Sequence, residues 1–185
     1  MNILESLLNT QGGAIIKQIG AQFGLSEAQV QNAIKVVVPI LAAALIQNMK
    51  RGGGLDSLLG ALKGGKHDRY IDDPSILGQS ATKKDGNGIL EKLLGDKTVS
   101  RETASRASAG TGIDASILQK LLPVLAAAVM GGLNKQGSND DLFGNNRSNQ
   151  SAGDGLMSIL QPAIDQNKDG SALDDIIAMA ARYLK

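Results

Sequence analysis

Apolar residues cluster in two long stretches of this chain, which are separated by mixed and polar segments. The first stretch, VVVPILAAALI, covers residues 36–46, and PVLAAAVM covers residues 123–130. The segments that lead into them place apolar residues at the three- and four-residue spacing of one helix face. Valine, which favours strands, is concentrated at residues 36–38, and no other segment has a strand-like pattern. The pattern therefore predicts an all-α fold.

Both apolar stretches belong to a longer repeated pattern. GAQFGLSEAQVQNAIK begins at residue 20 and SAGTGIDASILQKLLP begins at residue 108. Each has a glycine at its fifth position, Gly24 and Gly112, followed two residues later by a serine or aspartate that can cap a helix. We expect both glycines to take positive φ as helix C-caps.

A proline follows each of these turns. Pro39 and Pro123 are out of step with the glycines by four residues, which is about one helical turn, so similar faces still point inward. We interpret the pattern as an internal duplication of helix-turn-helix-like units with a C-terminal helix, in which residues 20–47 and 108–135 superpose. Proline inside a helix is expected to kink or break it.

Changes in composition divide the chain into five segments. Polar sequence rich in turn residues separates the two repeats, and Asn/Ser/Gly-rich sequence follows the second. The predicted segments are a first helical repeat (1–63), a polar linker (64–86), a second helical repeat (87–135), a flexible linker (136–153) and a C-terminal helical segment with an acidic loop (154–185).

Composition excludes several kinds of site. The absence of cysteine excludes disulfides, thiolate metal ligands and thiol nucleophiles, and it fits a cytoplasmic protein. The net charge of +1 does not give the broad basic surface of a nucleic-acid or acidic-membrane binder. The longest apolar run, residues 36–46, is shorter than the about 20 residues of a transmembrane helix, so we expect no membrane span.

The acidic loop DQNKDGSALDD, residues 165–175, resembles part of an EF-hand calcium site. Oxygen-bearing side chains occupy its first, third and fifth positions, and a glycine lies at the sharp turn. Ile176 stands where an EF-hand has its bidentate twelfth ligand, so only a shortened loop would bind Ca²⁺. The candidate ligands are Asp165, Asn167, Asp169, Asp174 and Asp175 with the backbone carbonyl of Ser171.

The same loop can also start the last helix without an ion. Ser171 and Asp174 have the spacing of a capping box. A lone, shortened loop is expected to bind calcium weakly. The sequence thus leaves two interpretations open, a weak calcium site and a capped polar turn, and Ca²⁺ is the one cofactor that it suggests.

His67 is the only histidine. With Asp68, Asp72 and Asp73 nearby, it could ligate a metal or act as a base. No second histidine, cysteine or evident nucleophile supports either role, so we assign no catalytic residue. We expect instead a loop that is anchored on the helices by its apolar residues, including Tyr70.

Two further motifs match functional patterns only in part. GALKGGK, residues 60–66, has the spacing of a phosphate-binding loop but lacks the preceding strand and the following Ser or Thr, so it predicts a glycine-rich helix end. Residues 20–34 resemble a DNA-binding helix-turn-helix. Their second helix offers a single cation, Lys35, among polar and acidic residues, which favours a structural helix-turn-helix.

Four motifs give the chain a family resemblance. They are HDRYIDDPS (67–75), DGNGIL (85–90), TGIDASILQKLLPVLAAAVMG (111–131) and DGSALDDI (169–176). With them the chain resembles the YidB-like family of bacterial proteins of unknown function, which implies an all-helical fold and no assigned activity. Many members have a histidine shortly after the second motif; here Glu91 and Lys92 follow instead.

We therefore predict a soluble, non-catalytic bacterial protein that binds or scaffolds a protein partner and carries, as an option, a weak calcium loop. A nucleic-acid-associated helix-turn-helix protein is the first alternative. An enzyme that uses the His67 loop is the second.

Overall fold

Helices form all the regular secondary structure in residues 13–49, 54–64, 66–94, 97–139 and 149–164, the parts of the chain that the computed structural model describes. The eight α-helices are α1 (Ala14–Phe23), α2 (Glu27–Met49), α3 (Gly54–Gly64), α4 (Arg69–Asp72), α5 (Ser80–Leu94), α6 (Lys97–Thr111), α7 (Ala115–Asn139) and α8 (Asn149–Ile164). A 3₁₀ helix, Pro74–Gly78, lies between α4 and α5. The predicted all-α class is confirmed.

The two longest helices, α2 and α7, are each entered through a glycine turn. Gly24 ends α1 with φ 67°, and Gly112 follows α6 with φ 69°, a left-handed conformation that glycine adopts without the steric cost of a Cβ. The Gly24 amide donates to the carbonyl of Gly20, and the Gly112 amide donates to that of Ser108 at 2.9 Å. The prediction that both glycines are C-caps with positive φ is confirmed.

Each long helix then begins at the residue that the sequence pattern marks as its N-cap. Ser26 Oγ accepts a hydrogen bond from the Gln29 amide at 3.2 Å, and Gln29 Oε1 accepts one from the Ser26 amide at 3.0 Å. This pair is a complete capping box. At the start of α7, Asp114 Oδ1 accepts from the Ser116 amide at 2.7 Å. These bonds use amides that a helix start otherwise leaves unsatisfied.

Helix α7 lies at the centre of the core. Every residue from Leu121 to Leu133 is buried, and the helix contacts α2, α3, α4, α5, α6 and α8. A helix that is apolar on all sides is stable only where it is covered on all sides. The alanines at residues 126–128 allow its neighbours to approach closely.

Both prolines lie inside helices that continue past them. Pro39 is within α2 and Pro123 is within α7, so the break that the sequence pattern allowed does not occur. Proline has no amide hydrogen. The carbonyls four residues earlier, at Lys35 and Gln119, therefore lack their usual donor in the helix.

The predicted polar linker, residues 64–86, is mostly folded. It contains α4, the 3₁₀ helix and the first residues of α5, and Tyr70 and Ile71 are fully buried. The expectation that Tyr70 anchors this segment on the helices is confirmed. Of the predicted flexible linker, residues 136–153, the part that is described lies in the end of α7 and the start of α8.

Among the described residues, two helical stretches are long and apolar enough to cross a membrane by length and composition alone. They are Glu27–Ile46, in α2, and Ala115–Gln136, in α7. The core helix of a soluble protein passes the same test, and 56% and 78% of their most apolar windows are buried inside the protein. Their burial is typical of core helices.

Candidate functional site

The HDRYIDDPS segment lies directly on α7. Tyr70 and Ile71 of α4 have no exposed surface. On the facing side, Gly131 of α7 permits a very close approach, because a Cβ there would lie 2.6 Å from the His67 carbonyl oxygen. Apolar burial and a missing side chain together fix the segment in place.

The hydroxyl of Tyr70 is the centre of a polar cluster between α4 and α5. It donates a hydrogen bond to Asp85 Oδ2 and accepts one from Arg69 Nη2 at 2.8 Å. Arg69 Nη2 also lies 3.6 Å from Asp85 Oδ2. The guanidinium carbon is 4.9 Å from the centre of the Tyr70 ring, within the range of a cation–π contact. One carboxylate of α5 therefore holds two residues of α4.

His67 lies beside this cluster and is buried, with 6% of its surface exposed. Its ring stacks on that of Tyr70 at a centroid distance of 6.1 Å. Nδ1 is 3.4 Å from Asp85 Oδ2, which is within ion-pair distance, but the directions do not suit a hydrogen bond and Nδ1 has no hydrogen-bond partner. His67 and Asp85 therefore lie close together without a hydrogen bond between them.

The protonation states in the cluster follow from its geometry. Burial raises the pKa of the Tyr70 hydroxyl, and the hydrogen bond to Asp85 raises that pKa further. The hydrogen bond from Arg69 to Tyr70 raises the pKa of the guanidinium. At neutral pH Tyr70 is therefore a neutral donor and Arg69 a cation, and both face Asp85.

The side chains of Asp72 and Asp73 also bond within the protein. Asp72 forms an ion pair with Lys135 of α7. Asp73 Oδ1 accepts from the Ser75 amide at 3.1 Å and caps the 3₁₀ helix. From α1, Gln22 Nε2 donates to the last carbonyl of that helix at 3.3 Å. The segment thus connects α1, α5 and α7.

Helix α5 touches the backbone of α7 at the next residue after Asp85. A Cβ on Gly86 would lie 1.9 Å from the carbonyl oxygen of Pro123, so only glycine fits there. The DGNGIL motif therefore has two structural roles in adjacent residues, an acceptor for Tyr70 and a contact point for α7.

A cleft of about 460 Å³ lies between α5, α6 and α7. Helix α5 contributes five residues to the cleft. Four of them lie on one helix face, because Asn87, Gly88 and Glu91 follow Lys84 by three, four and seven residues. The polar lining consists of Lys84, Asn87, Glu91, Ser100, Arg101 and Gln119, and the remaining lining of Gly88, Leu90 and Leu122. The cleft is concave and partly open, and apolar surface makes up more of its lining than polar surface does.

A family model described as a bacterial protein of unknown function (DUF937) matches residues 5–136. The chain belongs to this family. The YidB-like resemblance is consistent with it. No curated protein and no solved structure matches the chain. In this DUF937 member, the matched region includes the two motifs that build the polar cluster and every residue that lines the cleft.

The predicted calcium ligands cannot be placed. Asp165, Asn167, Asp169, Ser171, Asp174 and Asp175 lie outside the described residues and beyond the region of the DUF937 match. Within the described ranges, no group of three or more His, Asp or Glu side chains is arranged to hold a metal ion.

The carboxylate nearest to His67 in this DUF937 protein differs from those that the sequence suggested. Asp72 and Asp73 bond elsewhere, and Asp68 is exposed, whereas Asp85, eighteen residues along the chain, is the one at 3.4 Å. Sequence reasoning missed this pairing. The available signal was the unusual DGNGIL motif, which Asp85 opens.

The other two motifs lie where their structural interpretations place them. Most of GALKGGK belongs to α3, so it has the helical geometry of a helix end and not that of a strand–loop–helix phosphate site. The exposed face of α2 after the glycine turn presents Glu27, Gln29, Gln31, Asn32 and Lys35. That face carries one acid and one base, which gives no cationic surface for phosphates.

Proposed function

We propose that this DUF937 protein is a non-catalytic, cytoplasmic scaffold that binds a protein partner through the surface of its helical frame. The observation that carries the proposal is that the polar side chains of these motifs bond to one another or to a neighbouring helix. Arg69, Tyr70 and Asp85 bond to one another, and Asp72 bonds to Lys135. Side chains that hold helices together in this way have a structural role and not a catalytic one.

An enzyme that uses His67 is the second candidate. The observation in its favour is the buried Nδ1 without a hydrogen-bond partner, 3.4 Å from Asp85 Oδ2, because unsatisfied buried polar atoms concentrate at functional sites. Two observations weigh against it. The neighbouring hydroxyl, Tyr70, is held in its protonated form, and the histidine is almost closed to solvent.

We further propose that the frame arose by duplication of a helix-turn-helix-like unit. Two equivalences at a constant offset support this: the positive-φ glycines Gly24 and Gly112, and the N-caps Ser26 and Asp114. The residue four before each glycine adds a third. A Cβ on Gly20 would lie 2.8 Å from the Leu25 carbonyl oxygen.

In the second unit the same contact is made by a hydrogen bond. Ser108 Oγ donates to the carbonyl of Ile113 at 2.6 Å, and these two residues stand at the positions of Gly20 and Leu25. In both units, the carbonyl of the residue after the turn glycine approaches the helix residue four positions before that glycine. This helix residue is Gly20 in the first unit and Ser108, whose hydroxyl bonds to the carbonyl, in the second.

Calcium binding by residues 165–175 is proposed as an accessory property. It rests on the spacing of the carboxylates alone. Titration calorimetry with millimolar CaCl₂ should give a saturable signal that Asp169→Ala removes. Equal heats from the wild type and the variant would leave the loop as a polar helix cap.

The scaffold proposal is tested by capture followed by reconstitution. The tagged full chain is used to isolate a partner from a bacterial lysate, and the partner is then purified and titrated against the wild type, Asp85→Ala and His67→Ala. A scaffold predicts saturable binding by the wild type, weaker binding by Asp85→Ala because the frame loosens, and no catalytic turnover by any of the three. Turnover of a small molecule that His67→Ala abolishes would support the enzyme instead.

A mobility-shift titration at low salt tests the remaining alternative. Even non-specific nucleic-acid binding is strong at low ionic strength. A shift that disappears in Lys35→Gln would favour a nucleic-acid role and would contradict the protein-scaffold proposal.

A further inference from the structure

We propose that the cleft between α5, α6 and α7 binds a small organic anion, with its phosphate or carboxylate group held by Lys84 and Arg101. The site goes beyond the proposed scaffold function and does not depend on it. Four features of the cleft support the assignment: its cations, its uncharged lining, one glycine and one acid.

The two cations of the cleft are available for a ligand. Lys84 comes from α5 and Arg101 from α6, and both line the same concave surface. Within the described ranges neither pairs with a carboxylate. Two other exposed cations, Arg106 and Lys135, pair with Glu102 and Asp72. An anion bound in the cleft would neutralise the charges of Lys84 and Arg101.

The uncharged lining suits a ligand with an apolar body and a polar end. Leu90 and Leu122 are buried residues that reach the cleft wall, while Asn87 and Gln119 supply amide groups beside them. Ligand sites combine apolar walls with a few convergent polar groups, usually in about 300–1,000 Å³. The cleft, at about 460 Å³, has room for a molecule of this size.

Gly88 leaves room for a ligand on the α5 side of the cleft. It lies in the interior of α5, where glycine is less stable than alanine. A Cβ at this position would meet no atom within 4 Å, so the packing of the protein does not require glycine here. At Gly86, by contrast, packing does require it. Open space on the cleft wall at Gly88 lets a ligand lie against the backbone of α5.

The acid in the cleft limits the charge of the ligand. Glu91 shares a helix face with Lys84 and lies about 10 Å farther along the axis at 1.5 Å per residue. It repels a second negative group. The cleft therefore selects a molecule with one anionic end and discriminates against an extended polyanion such as a nucleic-acid strand.

Binding can be followed on the full chain by ¹⁵N–¹H NMR with three probes of one shape. Phenyl phosphate and benzoate carry the two candidate anions on the same ring, and benzamide is the neutral control. We expect saturable shifts of the Gly88, Ser100 and Gln119 amides with at least one anion and none with benzamide. Tighter binding of phenyl phosphate identifies the class as phosphate esters, and tighter binding of benzoate identifies carboxylates.

Three variants test whether the probes bind in the cleft. The double variant Lys84→Gln/Arg101→Gln should weaken the better probe at least tenfold, and Gly88→Leu should do the same by filling the cleft. Gly88→Leu enters open space, so its spectrum should otherwise stay that of the folded wild type. Lys17→Gln, an exposed cation on α1, is the matched control and should bind normally. Equal affinity in all variants, shifts spread over other surfaces, or equal binding of benzamide would overturn the proposal.

Discussion

The carbonyl oxygen of Pro123 occupies the space that a side chain on Gly86 would need. A Cβ there would lie 1.9 Å from this oxygen, so α5 rests on the backbone of α7. The residues on either side of Gly86 are positioned by this contact. Asp85 receives the Tyr70 hydroxyl, and Asn87 lines the cleft. One glycine therefore sets the geometry of both the polar cluster and the proposed binding site.

A single methyl group at residue 86 should destabilise the protein. We expect Gly86→Ala to lower the free energy of unfolding by about 1–3 kcal/mol, because overpacking forces the backbones apart. Gly88→Ala is the matched control in the same helix. It meets open space and should raise the free energy of unfolding by roughly 0.5–1 kcal/mol. Urea unfolding followed by circular dichroism at 222 nm measures both, and equal effects at the two sites would contradict the close contact.

Removing the Tyr70 hydroxyl should weaken the connection between α4 and α5. Tyr70→Phe keeps the buried ring but deprives Asp85 of one donor, so we expect a loss of about 1 kcal/mol in the free energy of unfolding. Asp85→Asn should also destabilise, since it removes the charge that faces Arg69. If Tyr70→Phe matches the wild type in urea unfolding, the hydroxyl contributes nothing to stability.

The raised pKa of Tyr70 predicts a dependence of stability on alkaline pH. The folded chain holds this proton more tightly than the unfolded chain does, so the contribution is complete below about pH 10. It is lost as pH rises through the folded pKa. The free energy of unfolding should therefore fall more steeply above pH 10 in the wild type than in Tyr70→Phe. Parallel curves for the two proteins would refute the shift.

The hydroxyl of Ser108 should stabilise the second glycine turn. Ser108→Ala removes its 2.6 Å hydrogen bond to the Ile113 carbonyl, and we expect a cost of about 0.5–1.5 kcal/mol. Ser105→Ala changes an exposed serine of the same helix and should alter the free energy of unfolding by less than about 0.5 kcal/mol. Comparable effects of the two substitutions would mean that the turn does not need the bond.

Local chemistry explains which parts of the structure the sequence could predict. The positive φ of Gly24 and Gly112 follows from a glycine placed between a helical pattern and an N-cap residue, all within a few positions. The interpretation of GALKGGK as a helix end was likewise correct, because the segment before it has no strand pattern. Which segments are helical and where the turns lie depend on residues that are near one another in sequence.

The contacts that build the candidate site depend on residues that are far apart. Asp85 and Tyr70 are joined across fifteen residues, and Gly86 meets Pro123 from another helix. No periodicity encodes such a pairing, since each motif is compatible with several partners until the helices pack. For the same reason, the sequence predicted that Tyr70 anchors its segment, as its burial confirms, but it did not identify Asp85 as the partner of the Tyr70 hydroxyl.

The complete burial of α7 from Leu121 to Leu133 has a consequence for synthesis on the ribosome. The helices that precede it emerge first, yet five of them, α2, α3, α4, α5 and α6, pack against a helix that has not yet been made. A nascent chain cannot bury these faces until α7 has left the exit tunnel. Exposed apolar surface on unfinished chains attracts chaperones, and in this protein that exposure lasts through most of translation.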